Sequence, residues 1–99
     1  MAVEVVWAKS ASMEYMQVLI YLSTEWGDTV VNDFIKKLER KIVAIVANPG
    51  IGRIAGPGKN TRSVVITPHN RLYYEVGNGA IRILAIFNTR RHPRWNRFE

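Results

Sequence analysis

The run Asn88–Phe98 reads NTRRHPRWNRF and crowds Arg90, Arg91, Arg94 and Arg97 around His92, Pro93 and Trp95. Guanidinium groups are permanent, forked hydrogen-bond donors suited to phosphate or carboxylate. His92 is of the one side-chain type that ordinarily titrates near neutrality. Trp95 offers a ring on which a base or an apolar side chain can stack. Such a run is a basic tag, a nucleic-acid arm, or the rim of a site whose other half lies upstream. Upstream, Arg62, Arg71, Tyr73 and Glu75 lie in strand-like stretches and are the residues able to complete it.

The totals narrow the class. Ninety-nine residues suit one domain, 1–99, with 92–99 as its basic tail. Hydrophobic residues make up 47% and charged ones 22%, a globular balance. The absence of cysteine removes disulfides and thiolate metal sites and fits a reducing compartment. No metal-ligand cluster or cofactor pocket is suggested, so no cofactor is expected. The start MAVEVVWAKS carries neither a basic leader nor a long apolar run, so the expected location is the cytoplasm, with no membrane partner. A net charge of +6 gives the partner's sign: nucleic acid or an acidic polypeptide.

The elements that must position these groups are legible from spacing. Val3–Ala8 is β-branched and aromatic and predicts a strand. Ser10 is the expected N-cap of a first helix, with Tyr15, Leu19, Leu22 and Trp26 as its apolar stripe and Gly27 as its C-terminal stop. Asp28 is expected to cap a second helix, which buries Val31, Phe34, Ile35, Leu38, Ile42, Ile45 and Val46. Its other face carries Lys36, Lys37, Arg40 and Lys41, read as solvated. Asn48-Pro49-Gly50 stops that helix, and the glycine-rich stretch to Asn60 reads as a flexible connection. Its Gly50-x-Gly52-x-x-Ala55 pattern is no dinucleotide fingerprint, since a helix precedes it and none follows. Arg53 occupies the place where a phosphate loop would need its first glycine.

The last third predicts three antiparallel strands, TRSVVIT, RLYYEV and AIRILAIFN. Asn78-Gly79 suits a two-residue type I′ turn. That turn sets Val76 opposite Ile81, Tyr74 opposite Ile83 and Leu72 opposite Ala85, one apolar face for the helices to cover. Arg71, Tyr73, Glu75, Arg82, Leu84, Ile86 and Asn88 fall on the other face, with Glu75 and Arg82 as a cross-strand ion pair. Continued alternation brings Arg90 onto that second face near Arg71. Arg62 joins them if the first hairpin has a four-residue loop and points inward with a three-residue loop. Trp7 and Tyr74 read as core.

The order and punctuation resemble the RelE/ParE superfamily of toxins from type II toxin–antitoxin, or plasmid stabilisation, modules. The matching stretches are VVWAKSA, LIYLSTEWG, NPGIGR, TRSVVITPHNRLYYEV and IRILAIFNTRRHP, which span nearly the whole chain. The resemblance implies an α+β fold: N-terminal strand, helical hairpin, then a three-stranded antiparallel meander, with the helices on one sheet face. It also implies a growth-inhibiting toxin neutralised by a cognate antitoxin with an acidic binding segment, in a hetero-oligomer.

Two modes of action divide that superfamily. One branch cuts messenger RNA in the ribosome; the ParE-like branch poisons DNA gyrase without being an enzyme. Cutting by a 2′-hydroxyl needs a proton acceptor, a proton donor and cations for the phosphate. Carried over, the ribonuclease positions fall on Arg62, Arg71 and Arg90. A lysine position falls on Val64, and a tyrosine position falls around Trp95 or Asn96. His92 or Glu75 would have to supply the missing acid–base chemistry. The expected branch is therefore the gyrase-directed one, with Arg71, Tyr73, Arg90, Arg91, Arg94 and Trp95 meeting the target. The ribosome-dependent nuclease is the alternative, and a non-toxic basic binding module is a second.

Overall fold

In the computed structural model, residues 3–56 and 60–88 are described. Strand β1 (Glu4–Trp7) leads into α1 (Lys9–Trp26) and α2 (Asp28–Ala47). Then come β2 (Arg53–Ile54), β3 (Thr61–Thr67), β4 (Asn70–Gly77) and β5 (Ala80–Asn88). The strands form one sheet in the order β1-β5-β4-β3-β2. β1 runs parallel to β5, and the other neighbours are antiparallel. Both helices pack on one face, so the α+β architecture is the expected one.

The helix ends differ in detail from the sequence reading. α1 begins at Lys9 with Ala8 as its cap, so Ser10 lies inside the first turn. Gly27 has φ of +88°, and its N–H bonds to the carbonyls of Leu22 and Ser23. A side chain at that φ is strained, which is why the chain turns from helix to helix here. Gly27 also caps α2, leaving Asp28 as an acidic residue of the first turn.

The main core joins Phe34, Leu38 and Ile45 of α2 and Ala11 of α1 to Val64, Ile66, Leu72, Tyr74, Ile81, Ile83 and Ile86 of the sheet. Tyr15, Leu19 and Leu22 pack against it as expected, and Trp7 stacks on Tyr15 at 5.3 Å. Trp26, the last residue of the predicted stripe, is 66% exposed. Lys36, Lys37 and Arg40 are exposed, as a solvated face requires, while Lys41 is partly buried.

The structure departs from the sequence reading in two places. The Asn78-Gly79 turn has φ of +49° and +73° and sets Val76 opposite Ile81, Glu75 opposite Arg82 and Tyr74 opposite Ile83. Beyond Tyr74 a bulge shifts the pairing, so Leu72 faces Ile86 and Tyr73 faces Ala85. One extra residue, Leu84, turns every later side chain over. Ile86 therefore enters the helix-side core, while Ala85 and Phe87 join Tyr73 and Ala55 in a second cluster. The alternation from which Arg90 was assigned a face is shifted by the same residue, and Arg90 itself lies outside the described residues.

The second correction concerns the glycine-rich connection. Arg53–Ile54 is a short strand paired with Ser63 and Arg62, extended by Ala55 N–H donating to the Thr61 carbonyl at 2.9 Å. The Glu75–Arg82 pair has the expected register, but both side chains are exposed and no ion contact joins them among the described residues. Water competes well with such a pair.

Candidate functional site

The strand registers decide where the cations point. Cross-strand partners share a sheet face. Arg62 stands opposite Tyr74, whose ring is in the helix-side core, so Arg62 belongs to that face. The β3–β4 register is thus the inward one of the two open alternatives. A bulge between Val65 and Thr67 precedes the tight Thr67–Asn70 turn.

Arg62 reaches the loop that follows α2. Its Nη1 donates to the Gly52 carbonyl at 2.7 Å and approaches the Gly50 carbonyl at 3.3 Å. Tyr74 fixes the same loop: its hydroxyl donates to the Pro49 carbonyl at 2.7 Å and accepts the Gly52 N–H at 3.0 Å. A Cβ at Gly52 would stand 2.6 Å from Tyr74 Oη and 2.9 Å from the Ser63 carbonyl oxygen. Glycine is therefore needed for this close approach. Arg62 and Tyr74 together fasten the end of α2 to the sheet.

Arg71 lies on the opposite face, across from Val65, and its Nη1 donates to Ser63 Oγ at 3.1 Å. Arg53 and Arg82 are exposed and, by pairing with Ser63 and Glu75, share that outer face. Tyr73 shares it too, but not as an open ring. It is fully buried against Ala55, Ala85 and Phe87. The bulge at Leu84 is the reason, since it brings Ala85 and Phe87 to the tyrosine. Val64 is 8% exposed and part of the main core, where a lysine would be an unpaired buried charge. His69 sits in the β3–β4 turn, where its backbone N–H donates to Thr67 Oγ1 at 3.2 Å. Arg90, Arg91, His92, Arg94 and Trp95 lie outside the described residues.

A groove of about 880 Å³ opens between the helical hairpin and one end of the sheet. Leu22, Trp26, Val30, Phe34, Ile86 and Phe87 supply its apolar wall. Its polar end carries Asn70 and Asn88, which are cross-strand partners. Asn70 Nδ2 donates to Thr67 Oγ1 at 2.9 Å, while its buried Oδ1 has no hydrogen-bond partner among the described residues. Glu14 lines the groove as well, and its Oε1 accepts the Ile86 N–H at 3.2 Å. An apolar wall with a few convergent polar groups is the usual make-up of a binding site.

The family comes from the sequence match. The family model for the ParE toxin of type II toxin–antitoxin systems matches residues 5–93. The chain belongs to that family. No curated protein matches the sequence. Solved structures share the fold at low identity. A chromosomal ParDE toxin–antitoxin system from P. aeruginosa superposes with a TM-score of 0.72 at 17% identity, covering 88% of this chain and 96% of that one. The YoeB dimer from Staphylococcus aureus gives 0.64 at 17% identity, covering 88% and 97%. The intact E. coli RelBE toxin–antitoxin complex gives 0.62 at 17% identity, covering 88% and 96%. These likenesses show a fold shared with ParE, YoeB and RelE structures.

Among the described residues of this ParE-family chain, no helix is long and apolar enough to cross a membrane, and no group of three metal-ligating side chains forms. The groove is what residue-type reasoning missed. One signal for it was available. α1 carries Tyr21 and, from the predicted stripe itself, Trp26, both exposed and both lining the groove. A helix apolar on more sides than its own core covers is expected to meet a partner.

Proposed function

We propose that this ParE-family toxin inhibits growth by poisoning DNA gyrase, without catalysis of its own, and is neutralised by a cognate antitoxin. The observation that carries the reading is the division of the two arginines. Arg62 is engaged with the carbonyls of Gly50 and Gly52 on the helix-covered face, while Arg71 is on the other face. A phosphate clamp for RNA cleavage needs cations converging on one point. The lysine position of the ribonuclease branch is a core valine, Val64. What remains is a basic outer face of Arg53, Arg71 and Arg82, continued in sequence by Arg90, Arg91, Arg94 and Trp95. That combination suits docking to a large target better than proton transfer.

The antitoxin reading draws on other features. The groove beside Trp26 is large and apolar, and the net charge of +6 suits an acidic binding segment. Solved structures with this fold include toxin–antitoxin complexes.

The test is to incubate purified protein with gyrase, ATP and supercoiled plasmid. Accumulation of linear, gyrase-bound plasmid is the expected result. Unchanged supercoiling without cleaved DNA at saturating protein would sink the gyrase reading. A parallel translation reaction, with new mRNA 5′ ends mapped, identifies the nuclease alternative directly.

A further inference from the structure

Helix α1 has a second apolar face that the core does not use. Met13, Met16 and Ile20 are 57%, 56% and 59% exposed. Their spacings of three and four residues make one stripe along the helix. It lies opposite Ala11, Tyr15, Val18 and Leu22, which belong to the helix-side core. None of the three lines the groove. Beside the stripe, Gln17, Ile20, Tyr21 and Thr24 line a shallow depression. They stand at i, i+3, i+4 and i+7, the four-residue hole that receives a side chain from a facing helix.

The charges at the ends of α1 are set against its own dipole. Lys9 is its first residue, where partial positive charge gathers, and Ala8, its cap, has no side-chain acceptor to offer. Glu25 is in the last turn, where partial negative charge gathers. Between them the helix carries one other charge, Glu14, whose carboxylate turns to the Ile86 N–H. A helix charged in this sense is relieved by an antiparallel neighbour charged in the same sense.

We propose that two copies of this chain pair through α1, antiparallel, about a two-fold axis beside Met16 and Gln17. Such an isologous contact makes every interaction twice. In this register Met13 of each copy enters the depression of the other, next to Ile20. Lys9 of each reaches the last turn of the other, where Glu25 and the helix end both attract it. A parallel pair would instead set Lys9 against Lys9. The net charge of +6 does not load this face, because Arg53, Arg71 and Arg82 are on the far side of the sheet from α1. An acidic segment would find only Lys9 here and fits the face poorly. Three apolar side chains per copy make a small interface, so association in the micromolar range is expected. The pairing does not depend on which target the toxin has.

The experiment is sedimentation equilibrium of the purified full chain across the micromolar range. The expected result is a monomer–dimer equilibrium that Met16→Glu weakens by about 10-fold or more, with circular dichroism unchanged. Lys9→Glu and Glu25→Lys should each weaken it, and the double variant should restore it. Each single change improves the dipole of α1 itself, so weaker pairing cannot be put down to a weaker helix. Because the chain has no cysteine, a single one reports the axis independently. Gln17→Cys should oxidise to a disulfide-linked dimer, and Lys36→Cys, on the exposed face of α2, should not. A chain that stays monomeric throughout, with no cross-linking at Gln17→Cys, overturns the proposal. A dimer indifferent to Met16→Glu pairs through another surface and overturns it as well. A double charge swap that fails to restore pairing overturns the antiparallel register.

Discussion

The two faces of the sheet use the same residue types for different ends. On the helix-covered face, Arg62 and Tyr74 are fasteners, and their polar atoms are engaged by the loop Pro49–Gly52. On the outer face Arg71 is held by Ser63, at a surface it shares with the exposed Arg53 and Arg82. Neighbouring strands thus supply one arginine to stability and another to a basic surface. What separates them is register, since adjacent positions of a strand point to opposite sides. An arginine in a toxin of this family cannot be given a role from its type and approximate position alone.

Substitutions on the two faces should break this symmetry in opposite ways, and the largest effects belong to the helix side. Leu38 is 2% exposed at the centre of the core. Leu38→Ala should cost about 2–5 kcal/mol, read from the shift of a urea or thermal unfolding midpoint. Tyr74→Phe should follow at about 1–3 kcal/mol, because the Pro49 carbonyl and the Gly52 N–H would both lose their partner in a buried place. Arg62→Ala should lower stability by about 1–2 kcal/mol, discounted because its contacts are only partly buried. Arg62→Ala protein that keeps full stability yet loses all toxicity would assign Arg62 to the target surface and dissolve the contrast.

Arg71→Ala tests the other half. Its loss from a partly buried bond to Ser63 Oγ should cost under about 1 kcal/mol. On the gyrase reading, plasmid cleavage should nevertheless fall by about 10-fold or more, as for a charged group at the centre of an interface. Unchanged cleavage by a folded Arg71→Ala protein would move the target site off this face.

The helices and the three long strands were legible in the sequence because their periods are strong. The seven apolar positions from Val31 to Val46 repeat at helical spacing, and all are buried or half-buried. Asn78-Gly79 fixed its hairpin because few other dipeptides accept two positive φ values. The bulge at Leu84 had no such signal, since Leu84, Ala85 and Ile86 are all apolar and suit either face. From that single residue came the misplacement of Ala85 and Ile86 and the expectation of an exposed Tyr73. The strand Arg53–Ile54 was hidden for a related reason: two residues carry no period. The groove depends on how far α1 and α2 stand apart over the end of the sheet, a tertiary distance that neither helix encodes alone.

The smallest expected effect sharpens the comparison by pH. Tyr15 is stacked on Trp7 at 5.3 Å and lies 6.4 Å from Phe34, inside the helix-side packing. Burial, and secondarily the carboxylate of Glu39, raise its pKa above the ordinary value of 10.0. The folded state therefore holds this proton more tightly than the unfolded chain does. Below pH 10, where Tyr15 is protonated in both states, its contribution is fully present, and the loss begins near pH 10 as the unfolded chain deprotonates. Above it the unfolded state ionises first, so stability falls as pH rises toward the folded pKa. Tyr15→Phe should flatten that part of the alkaline limb in thermal melts, while Arg71→Ala should leave it unaltered because a guanidinium stays charged throughout. An alkaline limb that is identical in Tyr15→Phe and the parent would mean that the ring is open to water, and that the helix side is less closed than its packing indicates.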